Sequence, residues 1–323
     1  MIVVTGGSGF IGSALVALLN AKGEDDVLVV DDLGTSGKWR NLVGKNIAGY
    51  EHKTDFLDAL ERNAYAYDID AIVHLGACSS TTERDVDYLM RNNTGYTRRL
   101  AEWSLAHSVR FIYASSAATY GDGALGFLDD DGVTPRLRPL NPYGFSKQVF
   151  DAWALRRRLL EKIAGLKFFN VFGPNEYHKG DMASVVMKAH RQIVKEGKVR
   201  LFRSYRSDYL DGGQMRDFVY VKECTAVIVW LLEHPSVNGL YNLGSGKARS
   251  WNDLAATIFT AMKKRAAIEY IDMPEGVIDA YQYYTEAPME KLRSTGCPIP
   301  CLSLEAAVTD YVQNYLEKPN PYL

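Results

Sequence analysis

No window of the 323-residue sequence approaches about 18 uninterrupted apolar residues, so a membrane-spanning helix is excluded. A secretory leader is not expected either. The chain opens directly on the β-branched run Ile2-Val3-Val4, without a basic stretch, an apolar segment and a cleavage site. A cytoplasmic protein without a membrane partner is therefore expected. Neither charge sign dominates: 37 Lys and Arg against 39 Asp and Glu leave a formal net charge of −2. That balance argues against a nucleic-acid partner and against an acidic tail. Cysteine is scarce. Cys78, Cys224, Cys297 and Cys301 are widely spread apart from the last two, which fits neither a disulfide framework nor a metal site. Ordinary buried thiols and no metal are expected. Internal repeats and low-complexity linkers are also absent.

What is present is enough apolar material, 47% of residues, for a sizeable core. The length suits one large domain plus a smaller one. Short β-branched runs at residues 2–5 and 27–31 flank Ser8–Lys22, where Phe10, Ile11, Leu15, Leu18 and Leu19 recur at helical spacing. The pattern repeats with a strand at Ala71–Leu75, a helix near Asp85–His107 and a strand at Arg110–Ala114. A long helix near Pro142–Ile163 and a strand at Leu166–Phe169 come next. Strands alternating with helices imply a parallel sheet covered on both faces. Beyond residue 170 the regularity weakens, with one clear helix near Met182–Glu196. Asp217–Val221, a helix to about Glu233 and Leu240–Leu243 read as a return to the sheet. Helices near Trp251–Lys263 and Leu304–Leu316 then rejoin the smaller domain. The division expected is 1–169 plus about 217–243 for the sheet domain. About 170–216 and 244–323 then form a discontinuous α/β substrate-binding domain.

The first strand ends in Thr5-Gly6-Gly7-Ser8-Gly9-Phe10-Ile11-Gly12, a G-x-x-G-x-x-G turn. Gly6 permits the tight turn, Gly9 lets the backbone approach a pyrophosphate, and Gly12 lets the helix pack on the strand. The helix N-terminus offers free N–H groups to the phosphates. Because this turn directly follows a strand and opens an amphipathic helix, it predicts a dinucleotide-binding Rossmann fold. The second strand ends at Asp31-Asp32, 19 residues beyond Gly12. An acid there accepts hydrogen bonds from an adenine ribose, which favours NAD. Lys38, Arg40 and Lys53 could neutralise a 2′-phosphate, which allows NADP. These residues leave the choice open.

Asn141-Pro142-Tyr143-Gly144-Phe145-Ser146-Lys147 contains Y-x-x-x-K behind an N-cap and a first-turn proline. Tyr143 and Lys147 then share a helical face. A phenol of ordinary pKa about 10 is expected to be lowered by the ammonium and by a cationic nicotinamide, so that it takes a proton as hydride leaves carbon. Ser116, just past the strand ending at Ala114, can fix the reacting oxygen.

Thr5–Gly12, Tyr113–Gly121 (YASSAATYG), Asn141–Lys147 and Arg216–Val221 (RDFVYV) resemble the extended short-chain dehydrogenase/reductase family over nearly the whole chain. Its members act largely on nucleotide sugars. The strings GACSSTTE (76–83), Asn92-Asn93, FNVFGP (169–174) and HKGDMAS (178–184) are similar to one branch of that family. That branch comprises the epimerases that invert C6 of ADP-glycero-manno-heptose, D-glycero to L-glycero, in lipopolysaccharide core precursor synthesis. The resemblance implies bound NADP and a homo-oligomer, a pentamer. It places Phe10, Ile11, Asp31, Asp32, Lys38, Lys53, Leu75, Gly76, Ala77, Cys78, Ser79, Asn92 and Val171 around the cofactor. It makes Lys179 a second acid/base opposite Tyr143. It puts Asn170, Asp181, Lys188, Phe202, Arg203, Ser204, Tyr205, Arg216 and Tyr281 at an ADP-sugar substrate. Arg216, planar and bidentate, suits its diphosphate; an ion pair with Asp217 is the competing reading. The chain departs from the branch at Asp181 for serine, Lys188 for histidine, a longer 204–214 loop, and Ala280 where arginine is usual. A 4,6-dehydratase would want an acidic pair near Ala117-Ala118-Thr119, which is missing. A UDP-hexose 4-epimerase is the alternative, and it needs no second base. A non-catalytic dinucleotide sensor would commonly have lost Tyr143 or Lys147.

Overall fold

A computed structural model of the chain describes residues 1–65, 68–278, 281–298 and 302–323, which leaves Ala280 and Cys301 outside the described residues. The first half runs β1 (Ile2–Thr5), α1 (Phe10–Ala21), β2 (Val27–Asp31), β3 (Gly49–His52), α2 (Lys53–Glu61) and β4 (Ala71–His74). A helix then forms in two parts, α3 (Val86–Leu89) and α4 (Tyr96–Ala106), joined by a π-helical stretch at Met90–Gly95. β5 (Arg110–Ser116), α5 (Pro142–Arg156) and β6 (Ala164–Phe168) follow. The remainder holds β7 (Asn170–Phe172), α6 (Val185–Glu196), β8 (Val199–Phe202), β9 (Met215–Tyr220) and α7 (Val221–Glu233). It closes with β10 (Gly239–Leu243), β11 (Ala248–Ser250), α8 (Trp251–Ala261), β12 (Ile268–Ile271), α9 (Glu275–Ile278), α10 (Glu290–Arg293) and α11 (Leu304–Tyr311).

Seven strands form one sheet in the order β10-β6-β5-β4-β1-β2-β3, with every neighbouring pair parallel. Alternation explains how the strands feed two helical layers. Val4, Val29 and Val73 face Leu15, Leu19, Val227 and Ile228 of α1 and α7. Val3, Val30 and Ile72 face Phe56, Leu60, Leu100 and Phe150 of α2, α4 and α5. With both faces covered, β2, β4 and β6 are buried throughout, as parallel strands are. The chain winds outward from β1 to β3 and then restarts on the other side at β4. The carboxyl ends of β1 and β4 therefore flank a crevice where such sheets bind ligands.

A second core gathers Phe172, Val186, Leu201, Leu254, Phe259, Val308 and Tyr311, and Phe10 and Ala14 of α1 join it to the sheet domain. Around it lie a three-stranded sheet, β11-β9-β7, and the parallel pair β12-β8. Two placements differ from expectation. β9 does not return to the large sheet but sits between β7 and β11, whereas α7, which follows it, does return, packing on α1. Ala287, Met289, Leu292 and Cys297 pack into the first core rather than the second. Among the described residues no helix is long and apolar enough to cross a membrane.

Candidate active site

The glycine turn is built for close approach. Gly6 has φ +68°, and a Cβ there would lie 2.6 Å from the Gly76 nitrogen. A Cβ at Gly12 would collide with the Gly6 carbonyl. Gly9 caps α1 with backbone alone: no side chain caps the helix and no acid occupies its first turn. The first-turn amides thus keep their donors and the positive end of the helix for an anion. A dinucleotide's pyrophosphate fits this cradle.

Around the turn lies a cleft of about 510 Å³. Of the residues expected at the cofactor, Gly6, Gly9, Phe10, Ile11, Gly12, Asp31, Lys38, Leu75, Gly76, Ala77, Cys78, Ser79, Lys147 and Val171 line it. A side pocket of about 190 Å³ brings in Asp32, Lys53 and Asn92, with Tyr88 and Tyr96, which the sequence reading missed. The two strand-end acids are already engaged. Asp31 accepts from Ser8 N at 3.0 Å, from the Ser8 hydroxyl and from Lys38 Nζ at 2.7 Å. Asp32 pairs with Lys53 at 3.3 Å. Burial pushes the Asp32 carboxyl up, but Lys53, His52 and Lys38 outweigh it and hold it below the ordinary range.

Tyr143, Lys147, Ser116 and Lys179 all face the large cleft. Asn141 caps α5 by accepting from Gly144 N at 2.8 Å, with Pro142 in the first turn, as the sequence predicts. Lys147 donates to the Ala114 carbonyl at 2.7 Å, which pins α5 to the end of β5. The electrostatics differ from expectation. Burial pushes the Tyr143 phenol up, and it is the Ser116 hydroxyl, through its hydrogen bond, that draws it back. Burial also lowers the Lys147 ammonium to about 8, against a smaller upward pull from Asp151. The protein's own part is thus a neutral phenol beside a weakened ammonium.

Lys179 projects from the Tyr177–Met182 turn, with its ammonium 5.2 Å from the Phe10 ring centre. Burial lowers its pKa, Glu176 opposes that, and Lys188 adds to it. Glu176 anchors the loop by accepting from Ser184 N at 2.5 Å and Ser184 Oγ at 2.6 Å. Asn41, buried, donates to the Ser8 and Asn175 carbonyls and so ties the same loop to the glycine turn. His178, which the sequence reading passed over, also lines the cleft, lowered to about 4 by burial, Lys38 and Lys179.

The expected substrate residues do not line that cleft themselves. Asn170 and Asp181 are exposed beside the lining residues Val171 and Met182. Phe202, Arg216 and Tyr281 meet in an aromatic cluster. Phe202 and Tyr281 ring centres are 6.3 Å apart, and the Arg216 guanidinium lies 5.3 Å from Tyr281 and 5.7 Å from Trp251. Arg216 makes no ion pair with Asp217, whose carboxylate accepts from the amides of Ser245, Gly246 and Ala287 instead. The buried guanidinium donates to the Met215 carbonyl at 2.8 Å. Arg203 and Ser204 are engaged by Asp272 and Asp211, and Tyr205 N donates to Tyr283. Trp251, Tyr209, Tyr283 and Arg206 complete this wall and were not anticipated. Sequence offers no signal for them beyond aromatic content.

The family model "NAD dependent epimerase/dehydratase family" matches residues 2–244. The ADP-L-glycero-D-manno-heptose-6-epimerase of Nitratidesulfovibrio vulgaris (strain DP4) is 57% identical over 323 residues, all of both chains. The Fusobacterium nucleatum protein of the same name is 46% identical, again over all of both. Among solved structures, the Helicobacter pylori ADP-L-glycero-D-manno-heptose-6-epimerase has TM-score 0.82 and 28% identity, covering 97% of this chain and 95% of that one. The Thermus thermophilus UDP-glucose 4-epimerase, solved with NAD, has TM-score 0.78 and 25% identity, covering 97% and 98%. The chain belongs to the NAD-dependent epimerase/dehydratase family, as an epimerase working with a nicotinamide dinucleotide.

Proposed function

We propose that this enzyme inverts C6 of ADP-glycero-manno-heptose, D-glycero to L-glycero, by transient oxidation and re-reduction with NADP, in lipopolysaccharide core precursor synthesis. The observation that carries this reading is that two proton-handling side chains, Tyr143 and Lys179, enter one cleft from separate elements. When bound, the nicotinamide supplies a reversible hydride acceptor and a positive charge. Tyr143 takes the hydroxyl proton as C6 becomes a ketone, with Ser116 holding the oxygen and Lys147 supporting the phenol. After the ketone turns, Lys179 would give its proton to the oxygen as the hydride is restored to the opposite face of C6. The substrate thus undergoes no net redox change, and proton exchange with solvent would reset Tyr143 and Lys179. Arg216, buried with its guanidinium beside the Tyr281 and Trp251 rings, suits the diphosphate. The sheet domain would hold the dinucleotide and the second core's elements the sugar. Incubation with the D-glycero epimer should give the L-glycero epimer by NMR at C6; no second epimer overturns the reading.

NADP is favoured over NAD by Lys38 and Lys53 at the side pocket. Lys53→Ala should weaken NADP by about tenfold or more, the worth of one charged hydrogen bond, while NAD is spared. Equal loss for both dinucleotides in binding titrations argues for NAD. A homo-oligomer, a pentamer, is proposed on family resemblance, and sedimentation equilibrium of the holoenzyme tests it, a monomer overturning it.

A further inference from the structure

Behind the cleft lies an ion pair that the reaction described above does not use. Lys167 of β6 donates to Asp151 of α5 at 2.8 Å and to Thr119 Oγ1 at 2.7 Å, and both charged side chains are fully buried. Asp151 also accepts from the Tyr113 hydroxyl at 3.0 Å and from Ser115 Oγ at 2.6 Å. Three consecutive residues of β5 are therefore held by α5: Tyr113 and Ser115 by Asp151, and Ala114 by Lys147 one helical turn earlier. The next strand residue is Ser116.

Stability does not account for such a pair. Taking two charges out of water costs several kcal/mol each, and apolar residues of similar volume are often as stabilising or more so. What apolar residues could not supply is a field at the neighbouring proton-handling groups. The titratable groups around Lys147 are few. His74 on β4 is buried between the Thr5 and Thr97 hydroxyls, and burial holds it neutral. Tyr113 and Tyr120 are pushed above their ordinary range by burial and stay neutral phenols. Cys78 borders Tyr143 at the cleft, and Lys179 faces the cleft from the other side. Asp151 and Lys167 are the buried charged pair on the sheet side of this group.

We propose that the Asp151–Lys167 pair is a positioning device that docks the end of β5 on α5 and sets the pH range in which Tyr143 and Lys147 exchange protons. Asp151 favours the protonated form of both groups, and Lys167, paired with it, opposes that pull. The sign of each change follows. Lys167→Met leaves an uncompensated carboxylate, so Tyr143 and Lys147 keep their protons to higher pH. Asp151→Asn leaves an uncompensated ammonium, and they release protons at lower pH. The double variant is neutral and returns both toward the parent.

The proposal rests on Tyr143 as the base of the proposed function. The test is the pH profile of kcat/KM of the holoenzyme. The acid limb should move up by about one pH unit in Lys167→Met and down by a similar amount in Asp151→Asn. It should return to the parent position in the double variant and in Lys167→Arg. Should the single variants fail to fold, Tyr113→Phe removes one donor from Asp151 at nearly constant volume and should move the limb upward by a smaller step. Loss of rate with an unmoved limb in every variant that folds overturns the proposal. Full turnover by Tyr143→Phe would instead overturn the assignment of the base.

Discussion

Tyr143→Phe should lose about a thousandfold in turnover, the worth of a positioned general base, while still binding the dinucleotide. The ring remains to pack at the start of α5, and the Asn141 cap does not involve the hydroxyl. Only the proton carrier is removed. Stopped-flow or NMR turnover, with binding read by fluorescence titration, separates the two. Unchanged turnover would overturn the mechanism. Ser116→Ala is the companion experiment. The Ser116 hydrogen bond draws the Tyr143 phenol down against burial. Without it the phenol keeps its proton to higher pH, and the acid limb should move upward. A merely structural serine would lower the rate without moving the limb.

The division between what sequence could and could not say is physical. The glycine turn was legible because its geometry is local: one strand, one turn and one helix within Ile2–Ala21 hold every constraint. The Tyr143–Lys147 pair was legible for the same reason, as a helical spacing behind a cap. Longer-range features were not. β8 and β12 are four-residue strands that pair although β9, α7, β10, β11 and α8 lie between them in the chain, so neither carries a pattern that reveals its partner. β9 reads as an apolar strand wherever it is placed, and only its neighbours β7 and β11 decide the sheet. α5 was expected to run to Ile163, but Arg158 at φ +58° ends it soon after Arg156.

The electrostatics divide similarly. Sequence placed Asp31 and Asp32 at the strand end but could not show that Ser8 and Lys38 already occupy Asp31. It set an ammonium beside Tyr143 and expected the phenol to fall. Burial, invisible in a spacing, pushes the phenol up against the Ser116 hydrogen bond and weakens the ammonium too. Whether Asp217 pairs with Arg216 could be posed from sequence, and the answer comes from three backbone amides, of residues 245, 246 and 287, that donate to the Asp217 carboxylate.

Lys179→Ala should abolish epimerisation by about a hundredfold or more while leaving the Tyr143 face competent. The variant should still take hydride reversibly from one C6 epimer, seen as transient reduction of bound cofactor, without forming the other. Turnover of both epimers at the parent rate would favour a single-base, C4-type mechanism. Lys179→Arg should not rescue, because a guanidinium does not give up its proton and so can serve neither as the acid nor, in reverse, as the base. Lys179 can serve because burial lowers its pKa and the Lys188 charge adds to that, against Glu176. On the proposed mechanism the departure at Lys188, lysine where the resembling branch has histidine, therefore acts on Lys179 itself. Lys188→Met removes a like charge, so Lys179 should keep its proton to higher pH and the limb of the profile that it governs should shift upward. A Lys188 that only contacts substrate would raise KM with that limb in place.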